Sequence, residues 1–217
     1  MDRRRNAALA AAQWLGAKEG TKEHREILAV YNSIRPLPRG YKVRESDAWC
    51  AAFVSAAAVL AGEGDQYPLE CSCVRIVEQA KEMGIWIEAD THAPRIGDWV
   101  LYNWQAKPVG DDTGAPDHVG VVIGLVDGEI LAVEGNYENS VKLRRFPVDW
   151  ELIRGYVSPN LEEETGYHTL DQVPEYARDT ITQLVSTGAL AGTGADDLGL
   201  TEDLVRVLVI LDRLGKL

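Results

Sequence analysis

One stretch constrains the fold more than any other. The run from Ala48 to Ala61 is rich in alanine and apolar around nearly its whole circumference when it is wound into a helix. Such a helix has to be covered on all sides, so the sequence predicts a helix buried inside a domain. Asp47 is the expected N-cap, and Gly62 marks the end.

The sequence takes on a strand-like texture from Ile96 onward. Asp127-Gly128 is a hairpin turn signal between two apolar runs. Helices followed by antiparallel strands indicate an α+β domain. The expected strands are Asp98–Tyr102, His118–Leu125, Ile130–Glu134 and one near Leu152–Val157, and further helices are expected over residues 6–34, with a break near Gly20, and Val74–Met83.

A polar, acidic stretch, Ser158 to Gly166, separates this domain from the tail. Two helical patterns follow, from Val173 to Thr187 and from Thr201 to Leu214. We therefore predict a catalytic domain over residues 1–158, a linker over 159–167 and a small helix–loop–helix domain over 168–217.

The composition excludes several classes of partner. A formal net charge of -12 argues against nucleic acid or an anionic membrane as the main partner. No stretch approaches the roughly 20 apolar residues that a membrane span needs. The first residues are interpreted as an amphipathic helix rather than an export signal, which predicts a cytoplasmic protein. Three cysteines do not suggest a disulfide framework.

Cys50 would lie in the first turn of the buried helix, where free N–H groups and the helix dipole favour a thiolate. A buried structural cysteine is the commoner role for this residue type. His118 begins a strand, however, and the hairpin folds the next strand back along it. The residue opposite His118 then falls at 135 to 137, so Glu134 or Asn136 can lie beside the imidazole and orient it.

Four motifs in this arrangement resemble the CHAP family of peptidoglycan hydrolases, relatives of the NlpC/P60 and papain-like folds. The resemblance covers about residues 6–157. Within the family, the sequence is similar to the endolysins of phages and prophages. The motifs are SDAWCAAFVSA around Cys50, RIGDWVLYNWQ, GDDTGAPDHVGVVIG around His118, and AVEGN at Glu134 to Asn136.

The resemblance implies that Cys50 is the nucleophile and His118 the general base. Glu134 would orient the imidazole, and Asn136 would support it as the amide of papain-like enzymes does. The implied substrate is an amide of the peptidoglycan stem, and the protein would reach the wall after release from the producing cell. The expected substrate-binding residues are Asp47 and Trp49 at the helix entry, Trp104 and Gln105 near the groove, and Asp117 in the loop beside His118.

We expect no metal and no cofactor. Some family members bind calcium through acidic residues before the cysteine, but residues 44–49 offer too few oxygen ligands. The loop Asp111–Asp117 lacks the spacing of a calcium hand. Cys71 and Cys73 could join Cys50 and His118 in a zinc site, but structural zinc sites usually use pairs with wider spacing. We interpret them as buried or loop thiols.

Three functions stay open at this point. The first is a wall amidase or endopeptidase. The second is a papain-like effector that acts on another amide. The third is a binding module that keeps the fold without turnover, against which the intact Cys50, His118 and Glu134 speak.

The tail resembles a single surface-layer homology repeat. Its second helix begins with Thr201-Glu202-Asp203 and lacks the positively charged side chain that would bind an anionic wall polymer. That helix is too apolar to be exposed all round. We expect it to dock on the catalytic domain or to form a homo-oligomer.

Sedimentation tests the oligomer. If the tail self-associates, the full chain sediments as a dimer or larger species, while a version that ends at Pro159 sediments as a monomer. Two monomers would contradict the prediction.

Overall fold

The computed structural model describes residues 3–88, 92–105, 114–161, 166–190, 198–200 and 202–215. Within them the chain forms two compact units, one over Arg3–Leu161 and one that begins after it. The expected loop at 111–113, residues 162–165 of the linker and Thr201 lie outside the described residues.

The first unit has an α+β fold, as the sequence predicts. Short 3₁₀ turns lie at Pro38–Gly40 and Gly64–Gln66. The helices are α1 (Arg3–Ala12), α2 (Lys22–Asn32), α3 (Cys50–Leu60) and α4 (Cys73–Glu82), and the strands are β1 (Trp86–Ile87), β2 (Trp99–Tyr102), β3 (His118–Val126), β4 (Glu129–Tyr137), β5 (Ser140–Pro147) and β6 (Ile153–Val157).

The six strands form one sheet in the order β1-β6-β2-β3-β4-β5, and every neighbouring pair is antiparallel. The sequence reading missed β1, which has only two residues, and β5. Strand β5 carries charged side chains and an exposed Leu143, so its apolar alternation is broken.

The helices cover one face of the sheet. Trp99 and Leu101 of β2 join the core that the helices build, whereas Val100 and Tyr102 join a smaller apolar cluster. This division follows from the pleat, because successive residues of a strand point to opposite faces. The buried members of α3 are Cys50 through Ala58, so the helix is enclosed as its sequence requires.

The hairpin between β3 and β4 turns at Asp127 and Gly128, with φ values of 53° and 79°. The hairpin prediction is confirmed. In β3, a few residues before the turn, the pairing register shifts between Val122 and Gly124, so Ile123 is an extra residue that has no partner on β4. This bulge brings Glu134 opposite Gly120.

Strand β4 passes very close to α3 at Gly135. A Cβ atom there would lie 2.4 Å from Cγ of Phe53, one turn after Cys50. Only glycine lets the helix approach the strand this closely. The contact therefore sets how near the start of α3 comes to β4.

The second unit has its own small core between α5 (Glu175–Ser186) and α6 (Glu202–Arg213). Ala177 and Ile181 of α5 pack with Val205 and Val209 of α6. The apolar residues Leu204, Val207 and Ile210 of α6 are exposed, and so is Leu214 just after the helix. No helix of the described residues is long and apolar enough to cross a membrane.

Gly135→Ala tests the contact between α3 and β4. We expect the free energy of unfolding to fall by roughly 1–3 kcal/mol, because overpacking forces the helix and strand apart. Denaturant unfolding measures the change. Gly124→Ala is the matched control on β3, since its nearest contact would be an ordinary 3.8 Å to Leu131. Equal stability of the two variants would contradict this account.

Candidate active site

Cys50 is the first residue of α3 and is 6% exposed. The N-cap position belongs to Trp49, whose side chain makes no capping hydrogen bond. The first N–H groups of a helix have no partner within the helix and favour a negative charge beside them. The backbone N–H of Ala51 contributes to this effect on the thiol.

A second helix also begins at this point. Cys73 is the first residue of α4, and its Sγ lies 3.9 Å from Sγ of Cys50. The Cys73 thiol, followed by the neighbouring His118 imidazole, holds the pKa of Cys50 well below its usual range, against the opposing effect of burial. The hydrogen bond to Cys50 and burial raise the pKa of Cys73 well above its usual range. Cys50 is thus the thiolate of the pair, and Cys73 the thiol that donates to it.

Glu134 lies fully buried in β4, opposite Gly120 of β3. A Cβ atom on Gly120 would come within 2.6 Å of Cγ of Glu134. The missing side chain gives the carboxylate room to lie across β3. Its Oε2 then reaches Nε2 of His118 at 2.9 Å.

Two further donors hold the Glu134 carboxylate. The hydroxyl of Tyr102 donates to Oε1 at 2.7 Å, and Nη1 of Arg144 lies 3.4 Å from Oε2. Tyr102 is directly paired with His118 across β2 and β3, so it lies on the same face. Tyr102, His118 and Arg144 therefore provide the hydrogen-bond partners that buried polar atoms need.

Arg144 is surrounded by aromatic rings. Its guanidinium carbon lies 4.3 Å from the ring centre of Tyr137 and 5.2 Å from that of Trp150. Trp104 and Phe146 stand slightly farther away, at 5.4 and 5.7 Å. Cation–π contacts of this kind fix a guanidinium in place. They hold the positive charge of Arg144 near Glu134.

His118 is poised as an imidazolium. Burial lowers its pKa, but the Cys50 thiolate and the Glu134 carboxylate outweigh burial and raise it to about 9. Since Nε2 is engaged with Glu134, Nδ1 is the nitrogen left for Cys50. The site thus combines a thiolate, an imidazolium and a buried carboxylate, a set suited to nucleophilic attack followed by proton transfer.

Three of the expected binding residues lie around His118 or at the strand ends beside it. Trp104 is 37% exposed, stacks on Tyr102 with ring centres 5.2 Å apart, and lies 5.6 Å from the His118 ring. Asp117 is exposed and accepts a hydrogen bond from the backbone of Trp104 at 3.2 Å. Gln105 is exposed, and its backbone N–H donates to Asn103.

The two residues expected at the helix entry have other surroundings. Asp47 is not the N-cap: its carboxylate accepts from the backbone N–H of Arg44 and from the Tyr41 hydroxyl, and so closes the preceding turn. Trp49 is fully buried, 4.7 Å from the ring of His24. A ring with no exposed surface packs behind Cys50, and a substrate contact does not fit its position.

Asn136 stands apart from the imidazole contact. Its φ is 60°, and the register of β4 and β5 shifts between Glu134 and Tyr137. The two-residue alternation therefore does not carry from Glu134 to Asn136. Within the described residues, Nε2 of His118 is bonded to Glu134 and not to Asn136.

Sequence reasoning missed Cys73, Tyr102 and Arg144 as members of this site. Cys73 carried a usable signal, because Ser72-Cys73 opens an amphipathic helix just as Trp49-Cys50 opens the buried one. Tyr102 ends a recognised strand. Arg144 lies in the strand that was not recognised, so no local pattern pointed to it.

Among the described residues, no group of three or more histidine, cysteine or acidic side chains is arranged to hold a metal ion. The fold and the site define an α+β protein with a cysteine, a histidine and a carboxylate converging at helix and strand ends.

The chain belongs to the family described as "Uncharacterized protein conserved in bacteria (DUF2272)", whose model matches residues 5–163. The match covers nearly the whole first unit and all the site residues. Comparisons with curated proteins and with solved structures find no match.

Glu134→Gln tests whether the negative charge of Glu134 lowers the pKa of Cys50 through His118. Without the carboxylate charge, His118 loses its proton at lower pH, and the pKa of Cys50 rises. We expect the pH midpoint of Cys50 alkylation by iodoacetamide, followed by peptide mass spectrometry, to move up by roughly 1–3 pH units. Glu129→Gln is the control, because Glu129 is half-buried at the other end of the same strand and pairs with Arg145. An unchanged midpoint in Glu134→Gln would contradict this assignment.

Proposed function

We propose that the protein is a papain-like cysteine hydrolase that cleaves an amide bond of the peptidoglycan stem. The observation that carries the proposal is the arrangement at the start of α3: the Cys50 thiol neighbours His118, whose Nε2 is bonded to the buried Glu134, and these neighbours hold the pKa of Cys50 well below its usual range. This arrangement favours acyl transfer over a purely structural cysteine.

The chemistry follows from these charges. The Cys50 sulfur attacks the amide carbonyl carbon, and the carbonyl electrons move onto oxygen. The backbone N–H of Cys50, at the helix start, can donate to that oxyanion. The His118 imidazolium protonates the leaving nitrogen as the C–N bond breaks, which leaves an acyl thioester on Cys50.

The second half uses the neutral imidazole. His118 takes a proton from water, which attacks the thioester, and the acid product leaves as the thiolate reforms. Glu134 keeps the imidazole oriented and favours its charged form throughout. Tyr102 and Arg144 in turn hold Glu134.

The wall substrate rests on the resemblance of the four motifs to the CHAP family and suits a family found in bacteria. The partly exposed Trp104 beside His118 offers an aromatic surface for part of such a substrate. The cleaved bond is either the link from muramic acid to L-alanine or one within the peptide.

Cys50→Ala is the decisive variant. We expect it to lower the release of fragments from purified bacterial walls by roughly 10⁴-fold or more, to the rate of the blank. Mass spectrometry of the released muropeptides then identifies the bond, since a new free amine on alanine means an amidase and a cut further along means an endopeptidase.

Cys71→Ala is the matched control and keeps wall hydrolysis, because the sulfur of Cys71 lies beside Arg39, whereas that of Cys50 lies beside Cys73. Clearing that survives in Cys50→Ala would refute the mechanism. Hydrolysis of another amide that depends on Cys50, without release of wall fragments, would instead favour a non-wall substrate.

A further inference from the structure

The thiols of Cys50 and Cys73 lie unusually close for two residues that are not bonded. Each is the first residue of its helix, and their sulfurs are 3.9 Å apart. The mechanism uses one nucleophile, so the sulfur of Cys73 forms no covalent bond during turnover. Cys71 has a different neighbour: its Sγ lies 3.6 Å from Nη2 of Arg39.

We propose that Cys50 and Cys73 form a reversible disulfide when the protein meets a peroxide, and that this modification switches the site off. The disulfide itself depends only on the two thiols. Its effect on activity rests on the proposed function, because it consumes the nucleophile.

The first step oxidises Cys50. The thiolate sulfur attacks one oxygen of hydrogen peroxide, the O–O bond breaks, and a proton converts the departing hydroxide to water. The sulfur, oxidised by two electrons, becomes a sulfenic acid. Low-pKa thiolates with some exposure are the cysteines that react this way, and Cys50 keeps a small exposed fraction.

The second step joins the sulfurs. Sulfur of Cys73 attacks sulfur of the Cys50 sulfenic acid, the S–O bond breaks, and the hydroxide leaves as water with the proton of Cys73. The sulfurs have to close from 3.9 Å to about 2.05 Å. Rotation of two cysteine side chains at helix starts can supply much of that movement.

The electrostatics of the pair favour this order of events. The hydrogen bond to the Cys50 thiolate is the largest cause that raises the pKa of Cys73. Oxidation of Cys50 removes that negative charge, so Cys73 gives up its proton more readily. The resting pair therefore holds Cys73 as a protected thiol, and oxidation of its neighbour activates it.

The disulfide also has a protective consequence. A sulfenic acid that meets no thiol is oxidised by a second molecule of peroxide, which is reduced to water, to a sulfinic acid that dithiothreitol does not reduce. With Cys73 in place, the oxidised site returns to its thiolate when a dithiol attacks the disulfide and is itself oxidised. Cys73 is thus a resolving cysteine for Cys50.

The test treats the full-length protein with hydrogen peroxide and maps its peptides by mass spectrometry without reduction. We expect a linked peptide that contains Cys50 and Cys73, lighter than its two parts by two hydrogen atoms, and its loss after dithiothreitol. Cys71→Ser is the matched control and gives the same linked peptide. Cys73→Ser instead accumulates the sulfinic acid at Cys50, which dithiothreitol does not reverse.

Two results would overturn the proposal. One is a linkage of Cys50 to Cys71, and the other is sulfinic acid at Cys50 in the unaltered protein to the same extent as in Cys73→Ser. Mapping of the unaltered protein decides the matter even if Cys73→Ser fails to fold. The mapping does not use wall hydrolysis, so the two proposals can fail separately. If the reduced protein does not hydrolyse walls but forms the disulfide, the inactivity counts against the proposed function and the disulfide supports the present proposal.

Discussion

The enclosure of α3 is the constraint on which the rest of the first unit depends. A helix with apolar residues on every side cannot rest on the surface, so other helices and the sheet have to surround it. Gly135 permits one of these contacts, against Phe53. Because Cys50 is the first residue of α3, the packing that buries the helix also fixes where its N-terminus meets the ends of β3 and β4. The stability of the unit and the placement of the thiol therefore have one physical cause.

Glu134 supplies the second half of the arrangement. A carboxylate without exposed surface needs donors, and Tyr102, His118 and Arg144 provide them. Its charge favours the imidazolium of His118, and the imidazolium favours the thiolate of Cys50, so the effect of the carboxylate reaches the sulfur through the ring. The aromatic rings that pack around Arg144 connect this buried group to the partly exposed Trp104. The polar site and the aromatic cluster of the sheet are therefore one continuous structure.

Both α3 and α4 begin beside the sulfur of Cys50. The N-terminus of α3 carries Cys50, and that of α4 presents Cys73 as a hydrogen-bond donor to it. A thiol in this position stabilises the same charge that makes Cys50 reactive. It also places a second sulfur where an oxidised Cys50 would meet it. The proposed catalytic and redox properties thus come from a single contact.

Local patterns in the sequence determined the buried helix, the α+β class and the hairpin, since helix circumference, strand alternation and an Asp-Gly turn act over a few residues. They also placed Cys50 near a helix start and His118 at a strand start. The choice of Glu134 as the partner needed the bulge at Ile123. Without that extra residue, pairing from the turn would set Gly135 opposite Gly120 and turn Glu134 to the other face. Tyr102, Arg144 and the burial of Trp49 likewise came only from the tertiary structure, because contacts between residues distant in sequence leave no periodic signal. The sequence could indicate that a helix begins at Cys73, but not that its sulfur lies 3.9 Å from that of Cys50.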